Sequence, residues 1–325
     1  MAEGRPAAAF YCVSSPIYFP GAVGAINSLR LLGHREPIYL LDCGLSEEQR
    51  ELVAPEVTLV DGPRDVPPYV LKTIAPLRHP ADVMVLIDAD IVATRSMAEL
   101  IARAREPKVI AVENDTDRFV PEWGEILDLG PIRRRRYVSS GLVFLGPGLG
   151  EDVLGLAASL IERIELDRTF DRRTDPSYPL FYMEQDVLNA ILASRLDPDM
   201  TLTLPHRMVP TPPFEGLRRP DEQTLRCAYR DGTEPYALHH YAIKPWLEPS
   251  FYGPYARLLR RLLIRDDVAI PIPQAELPTR MRTGPRAWAS RTAVSARDLA
   301  RWYLRERRGS RARGATPAAG GGEGR

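Results

Sequence analysis

The chain has 325 residues, 44% of them hydrophobic, and a formal charge of zero from 43 basic and 43 acidic side chains. That length supplies core for one large domain or two small ones. No run of about eighteen apolar residues occurs, which excludes a membrane-spanning helix on sequence grounds, and no signal segment opens the chain, so an intracellular, cytoplasmic protein is expected. The three cysteines, Cys12, Cys43 and Cys227, lack Cys-x-x-Cys or zinc-finger spacing and read as buried thiols.

The elements alternate along the chain. Ala8 to Ser14 predicts a strand, Gly21 to Leu32 a helix with apolar residues at helical spacing, and Pro37 to Asp42 a second strand. Ser46 and Gln49 have the spacing of a capping box and predict a helix start. Glu56 to Asp61 and Asp82 to Ile87 are the next strands. The apolar run Val83 to Ile87 has the character of a central parallel strand covered on both faces. A helix is expected to start near Ser96, with Thr94 or Ser96 as its cap. Val109 to Glu113 and Ser140 to Leu145 follow as strands, Asp152 to Leu166 and Glu184 to Ala193 as helices. The Pro- and Arg-rich stretch Thr201 to Pro220 reads as irregular. The pattern predicts an α/β protein with a mostly parallel Rossmann-like sheet flanked by helices.

Asp88-Ala89-Asp90 ends the central strand, where open α/β sheets collect ligands. Residues two apart on extended chain face the same way, so the two carboxylates converge on one hard cation, Mg2+ or Mn2+. The competing reading is a strand-to-helix turn with a capping Asp.

Four blocks carry a resemblance. Leu86 to Val92 contains the Asp-x-Asp; Val138 to Phe144 is similar to an Asn-x-Gly-apolar segment with Ser139 in the Asn place; Glu184 to Asn189 is similar to Asp-Gln-Asp-x-Leu-Asn; His240 to Trp246 is similar to a closing His-to-Lys-Pro-Trp block that is two residues longer and contains Gly. Together with the weaker match Cys43 to Glu48, they resemble family 8 glycosyltransferases of the GT-A fold, the group containing glycogenin and bacterial lipooligosaccharide galactosyltransferases. The resemblance implies a metal-dependent retaining glycosyltransferase moving a hexose from a nucleotide diphosphate sugar, UDP by default, to a hydroxyl of a glycan, lipid or small molecule.

The resemblance further implies that Asp88, Asp90 and His240 hold the metal, with His239 as the substitute ligand. Lys244 then contacts a phosphate, Gln185 lies near the anomeric carbon, and Glu184 binds the donor sugar or supports the transition state. Ser14, Tyr18, Ala89 and Ser139 join the nucleotide-sugar contacts, and Asp186 is structural or meets the acceptor. Each has a bland counterpart: a buried His pair, a solvated lysine, or acidic residues favoured at a helix start. Trp246 anchors the Lys-Pro-Trp loop by burying its ring.

Two rival functions have a basis in the residues. Asp88 and Asp90 also fit the strand motif of haloacid dehalogenase-like phosphatases, and the departures at Ser139, Glu184 and the shortened loop fit an inert scaffold of the same fold. The expected organisation is a catalytic domain over 1–265, a basic, partly helical extension over 266–308, and a disordered tail over 309–325. Residues 280–325 hold 12 Arg against 3 Asp or Glu, so the tail carries nine net positive charges and the body nine negative. Such a tail points to an anionic surface, here the inner face of a membrane, with no nucleic acid expected; the Trp- and Arg-containing stretch 286–308 reads equally as a basic helix lying on that surface or as a segment whose aromatics pack on the catalytic domain. The run Arg133 to Arg136 reads as a solvated loop, with an anionic acceptor clamp as the alternative.

Overall fold

The computed structural model describes residues 4–170, 175–241, 244–247, 253–279, 281–290 and 292–293. In chain order the helices are α1 (Phe19–Leu31), α2 (Glu47–Val53), α3 (Ile74–Arg78), α4 (Ala98–Ala104), α5 (Trp123–Ile126), α6 (Leu149–Ile161), α7 (Glu184–Arg195) and α8 (Pro254–Ile264). The strands are β1 (Ala8–Ser14), β2 (Ile38–Asp42), β3 (Thr58–Asp61), β4 (Val83–Ile87), β5 (Ile91–Ala93), β6 (Val109–Glu113), β7 (Val138–Leu145), β8 (Thr201–Leu204) and β9 (Ala237–His239).

Seven strands form one sheet in the order β3-β2-β1-β4-β7-β6-β8. Only β7 runs against the rest, pairing antiparallel with β4 and β6, so the sheet is mostly parallel as expected. All five residues of β4 are buried, which is what an unbroken Val, Met, Leu and Ile run requires of a central strand. The capping box forms: Ser46 Oγ accepts from the Gln49 amide and Gln49 Oε1 from the Ser46 amide. At the start of α4 Ser96 Oγ accepts from the Ala98 amide at 3.3 Å, the local contact expected of it, and the Met97 amide donates over a longer range to His34 Nε2 at 2.9 Å. Thr201 to Leu204, expected to be irregular, is the edge strand β8; three of its four residues are only partly buried, so it shows no clean alternation to read.

One core lies on the α1 and α8 side of the sheet and another on the α6 and α7 side. Helices α1 and α8 touch so closely that a Cβ on Gly24 would stand 2.4 Å from Leu259 Cδ1. Past α8, Ile270, Ile272, Leu277 and Met281 join that core, beyond the boundary expected at 265. Residues 285–290 are helical, with Trp288 exposed, while Val294 to Leu304 and the tail lie outside the described residues. Among the described residues no helix is long and apolar enough to cross a membrane.

Asn27 fastens this arrangement. Its fully buried amide donates to Leu262 O and Ile270 O, and its oxygen accepts from the Ile270 amide, each at 2.8 Å. Asn27→Leu orphans three buried backbone groups and is expected to cost about 3 kcal/mol or more. Urea unfolding reads this as a lower midpoint at unchanged slope; an unmoved midpoint would show that the clamp contributes nothing.

Candidate active site

The site is assembled where β4 ends. The Asp88 amide donates to Gly141 O at 2.8 Å, and the Ile91 amide to Asp88 O at 3.1 Å, so Asp88-Ala89-Asp90 is a tight turn and not extended chain. The carboxylates converge because β4 turns into β5, and β5 pairs antiparallel with β9, setting Ile91 opposite His239.

That pairing selects between the two histidines. His239 Nε2 lies 3.2 Å from Asp90 Oδ1 and 3.9 Å from Asp88 Oδ2, and ligand atoms of all three residues fall within 4.8 Å of one another. His240 is one residue on, so its side chain leaves by the opposite face. Its backbone amide donates to Asp90 O, but its ring packs on Tyr255 and Phe214, with centroids 5.0 and 5.9 Å away. Burial, aided by Lys244, lowers the His240 pKa to about 4. The structure therefore brings Asp88, Asp90 and His239 together and leaves His240 in the core.

The two oxygens of Asp90 face different neighbours, Oδ2 the Lys244 ammonium and Oδ1 the His239 ring. Lys244 Nζ donates to Oδ2 and, at 2.9 Å, to His240 O. Asp90 Oδ1 accepts no hydrogen bond among the described residues, although it is buried. Burial by itself would raise the Asp90 pKa, but Lys244 and His239 outweigh it and hold the carboxyl well below the usual range. An ionised, buried carboxylate oxygen with an imidazole and a second carboxylate beside it fits a divalent cation, whose hard oxygen ligands and borderline nitrogen ligands this set supplies.

A lysine absent from the sequence expectations completes the cluster. Lys72 follows a short 3-10 turn (Pro68–Leu71) and reaches Asp88 Oδ1 at 2.6 Å, Glu184 Oε1 at 3.1 Å and Ser140 Oγ at 3.3 Å. Burial opposes its charge, yet Asp88 and Glu184 prevail and raise its pKa. Burial pushes the Glu184 carboxyl above its usual value against the pull of Lys72. Lys72 sits in no motif and 16 positions before Asp88, so only the chain fold announces it.

The start of α7 positions the carboxylate side. Met183, at φ 53°, turns the chain into the helix, and Glu184 Oε1 accepts from Ser140 Oγ at 3.0 Å. Gln185 is pinned at both ends: its oxygen accepts from the Ser140 amide at 3.1 Å and its nitrogen donates to Tyr137 Oη at 3.1 Å. Asp186 is fully buried and accepts from Arg118 Nε, Tyr137 Oη and the Tyr182 amide, while Asn189 pairs with both backbone groups of Val138. These last two residues tie α7 to β7. Ser139 Oγ accepts from the Gly141 amide, and its neighbour Ser140 is the serine that meets Glu184 and Lys72.

Two glycines make room. A Cβ on Gly21 would stand 2.4 Å from both Ala89 O and the Trp246 ring, so α1 starts directly beneath the Asp-Ala-Asp turn. A Cβ on Gly141 would stand 2.7 Å from His239 Cε1 and 3.2 Å from Asp88 Oδ2. Gly141→Ala should therefore displace two of the three converging groups, and we expect Mn2+ affinity by calorimetry to fall about 10- to 100-fold, the range for disturbed ligand orientation. The melting temperature should move by only a few degrees, since the clashing atoms are side-chain ends; unchanged Mn2+ affinity would refute the placement.

The remaining predicted contacts occupy the β1 side. Ser14 is fully buried and donates to Ser15 O at 3.2 Å. The Tyr18 ring lies 5.7 Å from Lys244 Nζ, and the buried Trp246 donates from Nε1 to Ile17 O at 2.7 Å, anchoring the loop as expected. Arg133, Arg134 and Arg136 pair with Asp197, Asp117 and Glu113, and Arg135 donates to Leu196 O and Thr201 Oγ1, which is the solvated-loop reading of that run.

No known family's sequence profile matches the chain, and no curated protein matches it either. Solved structures do. The chain is similar to the galactosyltransferase LgtC in complex with donor and acceptor sugar analogues, at 14% identity and TM-score 0.51, covering 87% of this chain and 99% of that one. It is similar also to an active-site mutant of LgtC, at 14% identity over the same shares and TM-score 0.53. The bifunctional glycosyltransferase WbbM matches at 14% identity and TM-score 0.52, over 83% of this chain and half of WbbM. At such identities the likeness is one of architecture, and it excludes the phosphatase fold. The chain has the GT-A glycosyltransferase fold.

Proposed function

We propose that this protein is a metal-dependent, family 8-type retaining glycosyltransferase, taking a hexose from a nucleotide diphosphate sugar, UDP by default, to an acceptor hydroxyl. The observation that carries the reading is the convergence of Asp88, Asp90 and His239 at the end of the central strand of a GT-A fold, with the buried Asp90 Oδ1 lying 3.2 Å from His239 Nε2 and accepting no hydrogen bond among the described residues. Asp88, Asp90 and His239 would hold Mn2+ or Mg2+, which when bound neutralises charge developing on the departing diphosphate.

The chain's own groups supply the rest. Three carboxylates, Asp88, Asp90 and Glu184, face two ammonium groups, Lys72 and Lys244, so the cluster is one positive charge short of balance. A divalent cation reverses that sign and favours an incoming diphosphate. Lys244, pinned by Asp90 beside the Tyr18 ring, is placed to donate to a phosphate oxygen. Glu184 shares the Lys72 ammonium with Asp88, and we assign it to the donor sugar. Gln185, whose amide both Tyr137 and Ser140 hold, is assigned to the reacting centre; one LgtC structure is of an active-site glutamine-to-glutamate mutant. The assignment of the basic tail to an anionic membrane surface is a proposal on the same footing, resting on its charge.

The test is a thermal-shift and hydrolysis panel of UDP-, GDP- and dTDP-sugars with Mn2+, Mg2+ or chelator. One donor should stabilise the protein and release sugar slowly, with chelator abolishing both. No response to any donor in any metal would favour the inert scaffold, and hydrolysis of phosphate esters without any donor response would overturn the transferase reading.

A further inference from the structure

We infer that the cavity between α7 and β8 is a binding site apart from the active site, one for a small phosphate-type oxyanion held by Arg135, Arg136 and Thr203; it does not depend on the glycosyl-transfer reading. The cavity measures about 160 Å³ and is lined by Arg135, Arg136, Asn189, Leu192, Thr201 and Thr203. Arg135 differs from the other members of its run. Arg133, Arg134 and Arg136 each pair with a carboxylate, on Asp197, Asp117 and Glu113. Arg135 donates instead to two neutral oxygens, from Nη1 to Thr201 Oγ1 at 3.1 Å and from Nη2 to Leu196 O. Its Nε is buried and has no hydrogen-bond partner among the described residues. Burial and the neighbouring Arg133 lower its pKa against the pull of Asp197 and Asp199. A partly buried guanidinium that lines a cavity and has no carboxylate bonded to it is a setting that favours an anion.

The donors select the ligand. A buried N–H without a partner carries a penalty that an anionic oxygen removes. Thr203 adds a hydroxyl, and Arg136 adds a second guanidinium. The pair that Arg136 makes with Glu113 is 3.2 Å long between side chains 71% and 32% exposed, a surface contact that yields at little cost. Two guanidinium groups match a dianion, and donors arriving from a loop and from a strand match oxygens that point several ways. Chloride or a monocarboxylate leaves part of that set unused. The volume holds such an ion with some of its water, since each water takes about 30 Å³. Asn189, which lines the cavity, ties Gln185 O to both backbone groups of Val138, so an ion here rests against the contact that joins α7 to β7.

The test titrates inorganic phosphate into the full chain by calorimetry at constant ionic strength, with chloride and acetate as comparison anions. Phosphate should bind saturably and about tenfold or more tightly than either. Arg135→Gln should weaken it about tenfold or more, and Thr203→Val, which keeps the side-chain shape and removes only the hydroxyl, about three- to tenfold. Circular dichroism checks that each variant is folded; should Arg135→Gln fail to fold, Thr203→Val and Arg136→Gln carry the test. No saturable phosphate binding, equal binding of the three anions, or unchanged affinity in the folded variants overturns the inference. Phosphate binding that excess UDP with Mn2+ abolishes also overturns it, by placing the ion at the carboxylate cluster. Binding that survives UDP and Mn2+ and falls in the variants establishes the site, whatever the donor panel shows.

Discussion

Asp90→Ala is expected to abolish metal-dependent donor hydrolysis and, unusually for an active-site change, to destabilise the fold by about 3–5 kcal/mol, the range for removing one partner of a buried ion pair. Both effects follow from one geometry. The carboxylate is buried, its Oδ1 is offered to the cluster with His239, and its Oδ2 holds the ammonium of Lys244, itself buried. Removing it strands that ammonium beneath the Trp246 loop. The double variant Asp90→Ala, Lys244→Met removes the stranded charge, so it should regain a large part of the lost stability in a urea titration while hydrolysis stays absent. Activity surviving Asp90→Ala would remove Asp90 from the metal site. Stability unaltered by Asp90→Ala would mean that Lys244 escapes to solvent once released.

Lys72→Met separates charge from packing at the other side of the cluster. The methionine keeps most of the apolar stem and removes the cation that Asp88 and Glu184 share. Losing a charge-assisted contact to a bound anionic donor costs about 2–5 kcal/mol, roughly 30-fold or more in affinity. Metal binding should move the other way: with no ammonium 2.6 Å from Asp88, Mn2+ affinity should rise by about an order of magnitude. Donor titration by calorimetry and Mn2+ titration by paramagnetic resonance read the two arms. A parallel fall in both, tracking a lower melting temperature, would make Lys72 a packing residue and nothing more.

These two residues differ in how they could be found. Asp90 stands in a local pattern: an apolar run of strand length, then two carboxylates two apart. Five consecutive buried residues of β4 need no distant information to be recognised, and neither does the Ser46 and Gln49 capping box, because strand burial and helix capping are settled within a few residues. The start of α7 at Glu184 and the burial of Trp246 were readable for the same reason.

The tertiary structure alone decided the rest. Which imidazole faces the carboxylates depends on the register of β5 against β9, strands some 146 positions apart, and a one-residue difference sends the ring to the opposite face; His239 and His240 are indistinguishable until Ile91 is seen opposite His239. Lys72 and Ser140 enter because the turn before α3 and strand β7 both pass the end of β4, and no spacing in one chain reveals such a meeting. Edge strand β8, only partly buried, is a strand because β6 is beside it. Periodicity and capping are properties of neighbours in sequence, whereas a site is made by neighbours in space, and here the two agree on the aspartates and part company on the histidine and the lysine.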